Sequence, residues 1–403
     1  MLEQMKTPSQ APSLRLPRTV WALGWVSFFT DVSTEIVYPL LPIFLTVTLG
    51  ASMAFVGLVE GIAESTASLL KIASGWWSDR VHRRKPYMIA GYGLSALTRP
   101  LLAIASSGGH VLGARFIDRI GKGIRTAPRD ALLAASVPED QRGAAFGVQR
   151  MMDNSGAVVG PLLAWILLHY CTSDYRLIFW IAGVPMLAAM VMLIFGAKEP
   201  PPVLRSATVS PPLAPFILRP GFKSYLGVLF LFTLGNSSDA FLLLRAQSLG
   251  IPVAQLPLLW MVLNLVKAVG SYPVGVLSDR IGRRALIVGG WCVYALVYLG
   301  FGFAREPWHI WSLFLLYGVF YGMTESTERA LVADFHPDAE RGRAFGAFNF
   351  VTGIGALPAS LLMGWLWTAF GPTVAFGTGA VLALVAALWF FARVSDRAVV
   401  RSN

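Results

Sequence analysis

Apolar stretches long enough to cross a bilayer recur along the chain at roughly 19–48, 52–76, 87–107, 111–135, 144–170, 176–196, 225–248, 254–277, 286–304, 309–333, 344–368 and 373–394. A spanning helix needs about 20 mainly apolar residues. Twelve such stretches predict an all-α membrane protein with twelve transmembrane helices. The charged fraction agrees, at 14% against about 25% in soluble domains. Between the sixth and seventh stretches the run KEPPPVLRSATVSPPLAPFILRPGFK is proline-rich and basic at both ends, which marks a linker. The expected organisation is a tail over 1–17, a six-helix bundle over 18–197, a linker over 198–223, a second bundle over 224–395 and a tail over 396–403. No signal-peptide pattern precedes the first span, so an uncleaved first helix is expected.

The formal charge of +11 does not call for a nucleic-acid partner, because the basic residues are spread through alternate short loops. The N-terminal tail, 79–86, the linker, 279–285, 334–343 and the C-terminal tail hold nearly all loop charge. The opposite loops carry little beyond Arg176 and Arg305. This asymmetry predicts that both termini are cytoplasmic in a multi-pass cell (inner) membrane protein. The two cysteines, Cys171 and Cys292, form no disulfide framework.

One span breaks the apolar rule. VLGARFIDRIGKGIRTAPRDALLAAS, from Val111 to Ser136, carries Arg115, Asp118, Arg119, Lys122, Arg125, Arg129 and Asp130. At helical spacing the first six fall within an arc of about 120°. A charge at the bilayer centre costs roughly 2.5–3.5 kcal/mol on insertion scales. The stripe must therefore face acidic partners, a water-filled cavity or an anionic ligand. Two acidic pairs are available: Asp31 and Glu35 one turn apart in the first span, and Glu60 and Glu64 in the second. Low dielectric disfavours a carboxylate and a nearby cation favours it. A carboxyl poised between those effects can exchange a proton with either side, so Asp31 and Glu35 are the expected proton-coupling pair. Glu60 and Glu64 are open to two readings, as static partners of Arg115 and Arg119 or as functional groups.

The chain also repeats itself. GWWSDRVHRR at Gly75–Arg84 recurs as GVLSDRIGRR at Gly275–Arg284, and RGAAFG at Arg142–Gly147 as RGRAFG at Arg341–Gly346. STE at Ser33–Glu35 is echoed by SSD at Ser237–Asp239. Two homologous six-helix halves are a known transporter architecture, with the substrate site at their interface near mid-membrane. With these motifs the chain resembles the major facilitator superfamily, over essentially its whole length after the tail. The loop signature G-x-x-x-D-R-x-G-R-R is complete in the second half, and His82 replaces its glycine in the first. RIGKGIRTA, Arg119–Ala127, is similar to the family's fourth-helix motif, with Lys122 at its glutamine and Arg125 at a glycine. GAVVGP (Gly156, Gly160, Pro161) resembles the start of the antiporters' fifth-helix motif, whose final glycines are Leu163 and Ala164 here. YPLLPIFL, with Pro39 and Pro42, looks like the twelve-helix drug–proton antiporters.

The resemblance implies a cavity-facing Arg119 that couples proton and substrate. Lys122 and Arg125 beside it suit an anionic or zwitterionic substrate, unless the four acids neutralise them. In the second half Asn236, Asp239 and Glu325 are the candidate substrate contacts. By the repeat, Glu325 and Glu328 fall where Thr126 and Arg129 fall, so a basic fourth helix would face an acidic tenth, around a zwitterion or as a salt bridge closing a gate. The loop residues Gly75, Asp79, Arg80, Arg83 and Arg84, with Gly275, Asp279, Arg280, Arg283 and Arg284, are expected to hold the bundles together and release them.

Enzyme and pump readings find little support. Gly121-Lys122-Gly123 lacks the Ser/Thr of a phosphate loop, and no nucleophile elbow or zinc-ligand spacing occurs. No cofactor or metal site is expected, and the protein should be monomeric. The sequence therefore predicts a secondary active transporter working by alternating access, with proton-coupled efflux of a small amphipathic or charged organic compound. Proton-coupled uptake of an anionic nutrient or metal chelate is the alternative, or a lipid flippase.

Overall fold

The computed structural model describes residues 16–78, 84–138, 141–199, 218–336 and 340–393. These form helices and connecting turns, and no strand occurs among them. The first half contains α1 (Arg18–Thr48), α2 (Met53–Ser78), α3 (Lys85–Ala103), α4 (Gly108–Ala135), α5 (Arg142–Cys171) and α6 (Tyr175–Gly196). The second contains α7 (Pro220–Ser248), α8 (Leu256–Ile281), α9 (Arg283–Phe303), α10 (Pro307–Asp334), α11 (Arg341–Phe370) and α12 (Pro372–Arg393). Arg18 and Arg393 mark what we call the near end; the α1–α2 turn lies at the far end. Large side chains such as Phe195, Phe303, Trp180 and Trp365 are exposed on the outside. So much exposed apolar surface suits a hydrocarbon surround, not water.

Local chemistry sets the helix ends. Ser107 caps α4 by accepting from the His110 backbone N–H at 3.4 Å, and Glu306 and His309 form a reciprocal cap at α10. Pro220 occupies the first turn of α7, where its missing N–H costs nothing. That helix consequently starts within the stretch expected to be linker. Residues 1–15 of the expected N-terminal tail, the tail over 396–403 and most of the linker lie outside the described residues.

Within the first half α1 packs on α5 and α3 on α4; within the second, α9 packs on α12 and α8 on α10. The halves meet through α2 against α11 and α5 against α8. Gly156 and Gly160 explain how close α5 comes to α1. A Cβ at Gly156 would stand 2.6 Å from the Phe28 carbonyl oxygen, and one at Gly160 would stand 2.7 Å from Glu35 Cβ. Small residues at such crossings let backbones approach.

Two helices are broken at corresponding places. Helix α1 runs through Arg18–Val37, turns over 38–40 and resumes from Leu41. Helix α7 runs through Pro220–Gly235, opens over 236–239 and resumes at Ala240–Ser248. In lipid, irregular backbone is tolerated only inside the protein or along a cavity. The α7 break meets that condition: Tyr294 donates its hydroxyl to the freed Gly235 carbonyl at 2.9 Å, and Ser238 accepts from the Ala240 N–H at 3.3 Å.

The halves fill their interiors differently. The second is packed with aromatic rings, among them Phe232 stacked on Trp291 at 4.5 Å and Tyr294 on Tyr298 at 4.1 Å. The first buries Arg99, Arg115, Asp118, Arg119 and Arg125 instead.

Of the expected gating residues, Asp79, Arg80 and Arg83 lie outside the described residues. Gly75 falls within α2, and Gly275, Asp279 and Arg280 within α8. Arg84 donates to the Ala131 carbonyl at 2.8 Å, and Arg283 donates to the Ala330 carbonyl at 2.6 Å and pairs with Asp334. Arg284 donates to the Phe391 carbonyl. These arginines thus bind helix C-termini within their own half, where a cation meets the negative end of the helix dipole.

Candidate functional site

A cavity of about 360 Å³ lies between the halves, at the level where α1 and α7 break. Glu35 and Tyr38 from α1, Glu64 from α2, and Arg119 and Lys122 from α4 line one side. Asn236, Ser238 and Asp239 from the α7 break, Trp260 from α8 and Tyr321 from α10 line the other. Thr34, Ser68, Thr233, Thr352 and Ser360 add hydroxyls.

The basic stripe of α4 divides among three environments. Arg115 donates from Nη2 to both carboxylate oxygens of Glu60, at 2.9 and 2.8 Å. Both side chains are almost fully buried, and Glu60 also accepts from Ser238 of the other half at 3.4 Å. Arg125 is turned toward α3: it donates to Ser95 Oγ at 2.6 Å and sits 4.4 Å over the Tyr92 ring. It does not line the cavity, as a substrate contact would. Arg119 lines it while only 5% exposed. Its nearest carboxylate oxygens, on Asp118 and Glu64, stand at 3.7 and 3.8 Å, beyond hydrogen-bond length. Its Nε, like Arg115 Nε and Asp118 Oδ1, has no hydrogen-bond partner among the described residues.

Two of the cavity carboxylates, Glu35 and Asp239, are held by donors on aromatic side chains. Trp260 Nε1 donates to Glu35 Oε2 at 2.5 Å and packs its ring, tilted, 4.7 Å from that of Tyr38, so this contact joins the two halves. Asp239 accepts from Tyr317 at 2.6 Å and from Tyr321 at 2.9 Å. Of the two expected coupling acids only Glu35 reaches the cavity wall. Asp31 lies one turn away against α5, with its Cβ 2.9 Å from where a Gly156 Cβ would be.

The second-half acids of α10 are engaged elsewhere. Glu325 pairs with Lys267 at 2.9 Å and with Arg329 at 3.7 Å, and Glu328 accepts from Trp291 Nε1 at 2.9 Å. Glu325 is therefore no cavity contact, and the expected acidic tenth helix facing a basic fourth is replaced by carboxylates from α1, α2 and α7. Tyr38, Trp260, Tyr317 and Tyr321 were not singled out from the sequence. Their signal is spacing: Tyr38 follows Glu35 by three residues, and Tyr317 and Tyr321 share one helical face.

Beyond the cavity the far end is closed. A Cβ on Gly57 would stand 2.2 Å from the Ser360 carbonyl oxygen, and one on Gly364 would stand 2.5 Å from that of Met53. Ser65 Oγ donates to the Gly353 carbonyl at 2.6 Å, continuing the α2–α11 seam inward. Asn264 donates to the Ala157 carbonyl at 3.3 Å between α8 and α5.

Comparison with known proteins agrees with this architecture. A family profile described as Major Facilitator Superfamily matches residues 23–263 and 225–402. An uncharacterised MFS-type transporter of Methanocaldococcus jannaschii is 34% identical over 383 residues, covering 93% of this chain and 94% of its own. The multi-drug resistance efflux pump PmrA homolog of Lactococcus lactis subsp. lactis is 25% identical, over 84% of this chain and 86% of its own. Among solved structures, a bacterial homolog of the human lysosomal transporter Spinster superposes with a TM-score of 0.76 at 18% identity, covering 95% of this chain and 97% of that one. With the profile matching both halves and a relative 34% identical over 93% of its length, the chain belongs to the Major Facilitator Superfamily of membrane transporters.

Proposed function

We propose that the protein is a proton-coupled exporter of a small charged organic compound, working by alternating access in the cell membrane with the near end in the cytoplasm. The loop-charge asymmetry supports the orientation. The efflux-pump name of the Lactococcus lactis relative favours export. In the conformation described, the closed seam lies on the far, external side of the cavity.

One observation carries the coupling: Glu35 lines the cavity and is also bonded to the other half through Trp260. Protonating Glu35 removes the charge from that bond, and charge-assisted hydrogen bonds are about twice as strong as neutral ones. A proton on Glu35 and a solute held by the cavity's carboxylates then oppose one another, while weakening of the bond eases movement of α8 against α1. Asp31, one turn nearer the cytoplasm, is the second proton site. Arg119 and Lys122 hold the solute from the α4 side; Asn236 and Asp239 hold it from α7.

The test is proton release on ligand addition, with purified protein in weakly buffered detergent and a panel of cationic, zwitterionic and anionic compounds. Release on adding a cation or zwitterion, lost in Glu35→Gln, is the expected result. Proton uptake on adding an anion would overturn export and favour symport instead.

A further inference from the structure

We infer that the transported compound is a zwitterion, bound with its carboxylate or other anionic end on Arg119 and Lys122 and its ammonium end on Asp239. The inference rests on reading the cavity as the substrate site; it needs neither proton coupling nor export. The first support is Arg119 itself. A buried guanidinium presents five donors in a planar fork that suits an anionic oxygen pair. Here it lines the cavity with no hydrogen bond to the described residues: its contacts to Asp118 and Glu64 are ion pairs at 3.7 and 3.8 Å, longer than a hydrogen bond. Buried polar groups left without partners are costly. Arg115 and Arg125, on the same face of α4, are instead bonded to Glu60 and to Ser95. Arg119 is thus the arginine of the stripe that brings unbonded donors to the cavity wall, which Lys122 also lines.

The second support lies on the opposite wall. Asp239 sits at the break of α7 and accepts from Tyr317 and Tyr321. A carboxylate has about four lone-pair sites, so two hydroxyls orient Asp239 without saturating it. Both tyrosines are neutral donors and leave its charge uncompensated. Lys267, which lies 4.7 Å from the Tyr321 ring, is itself paired with Glu325. An ammonium group bound to Asp239 would use the carboxylate lone pairs that the two hydroxyls leave open. A solute with only one charge leaves one wall of the cavity unanswered.

The experiment uses the full-length protein in detergent and isothermal titration calorimetry. The probes are ω-amino acids of increasing chain length, each compared with the alkylamine and alkylcarboxylate of equal length. At one or two chain lengths the zwitterion should bind about ten- to hundredfold tighter than either analogue, the range expected for one charged hydrogen bond. Arg119→Gln should erase the advantage over the amine, and Asp239→Asn the advantage over the carboxylate. A wild-type series in which no zwitterion exceeds both analogues overturns the inference, whether or not the variants fold. Arg119→Gln protein that folds and keeps the full advantage overturns it as well. Because no gradient is present, neither a missing proton release nor the opposite direction of transport alters this outcome.

Discussion

Trp260 donates its indole N–H to Glu35 at 2.5 Å, and the two residues stand in opposite halves of the molecule. Trp260→Phe keeps a ring against Tyr38 and removes only the donor. A hydrogen bond to a charged group contributes about 1.5–3 kcal/mol. The conformation with the far end shut should lose about that much relative to its alternative. With Cys171 and Cys292 replaced, labelling of a cysteine at Ser65 by an impermeant maleimide added on the far side should rise about tenfold or more.

The α2–α11 seam makes a sharper prediction. Even one methyl at Gly57 meets the Ser360 carbonyl at 2.2 Å, and Val is larger still. Gly57→Val should hold the far end open, abolishing solute counterflow in proteoliposomes while the protein still elutes as a folded species. Full counterflow in this variant would mean that the seam does not close during transport.

Glu60 and Arg115 form a buried ion pair. Removing one partner of such a pair costs about 3–5 kcal/mol, because the other charge is stranded. Glu60→Gln and Arg115→Gln should each lower the thermal unfolding midpoint in detergent substantially. The joint change Glu60→Leu with Arg115→Met should recover most of that loss.

Arg125 separates structure from binding. Arg125→Gln removes its bond to Ser95 and its contact with Tyr92, so the yield of folded protein should fall while the ligand affinity of the folded fraction stays unchanged. Arg119→Gln should do the reverse, with affinity lowered about tenfold or more. Titration calorimetry on both variants checks the pair.

The twelve helices and their two-half arrangement were legible because an apolar run of spanning length admits few other structures, and because the loop signature occurs twice. Glu35, Arg119, Lys122, Asn236 and Asp239 were legible as cavity residues for a related reason: a polar group within a span needs a polar surround. The same reasoning extends to Arg125 and Glu325, since it sees charge and helical face but not the neighbouring helix. Ser95 and Tyr92 claim Arg125, and Lys267 claims Glu325. The aromatic donors are not legible for the opposite reason, because Tyr and Trp are ordinary in a membrane helix. Pro39 and Pro42 in α1 and the Asn236–Asp239 run in α7 were in view, yet only the fold reveals them as matching interruptions.

The uneven burial of charge bears on how the chain is made. Arg115 is matched by Glu60 on α2, and Arg125 by Ser95 and Tyr92 on α3. These partners are all synthesised before α4 leaves the ribosome, so its arginines can enter a site already prepared. A circular permutant beginning at α4 would reverse that order. It would present Arg115 and Arg125 to lipid with nothing to receive them, at roughly 2.5–3.5 kcal/mol each on insertion scales. That α2 and α3 precede α4 in the chain thus suits the charge network during synthesis as well as in the finished fold.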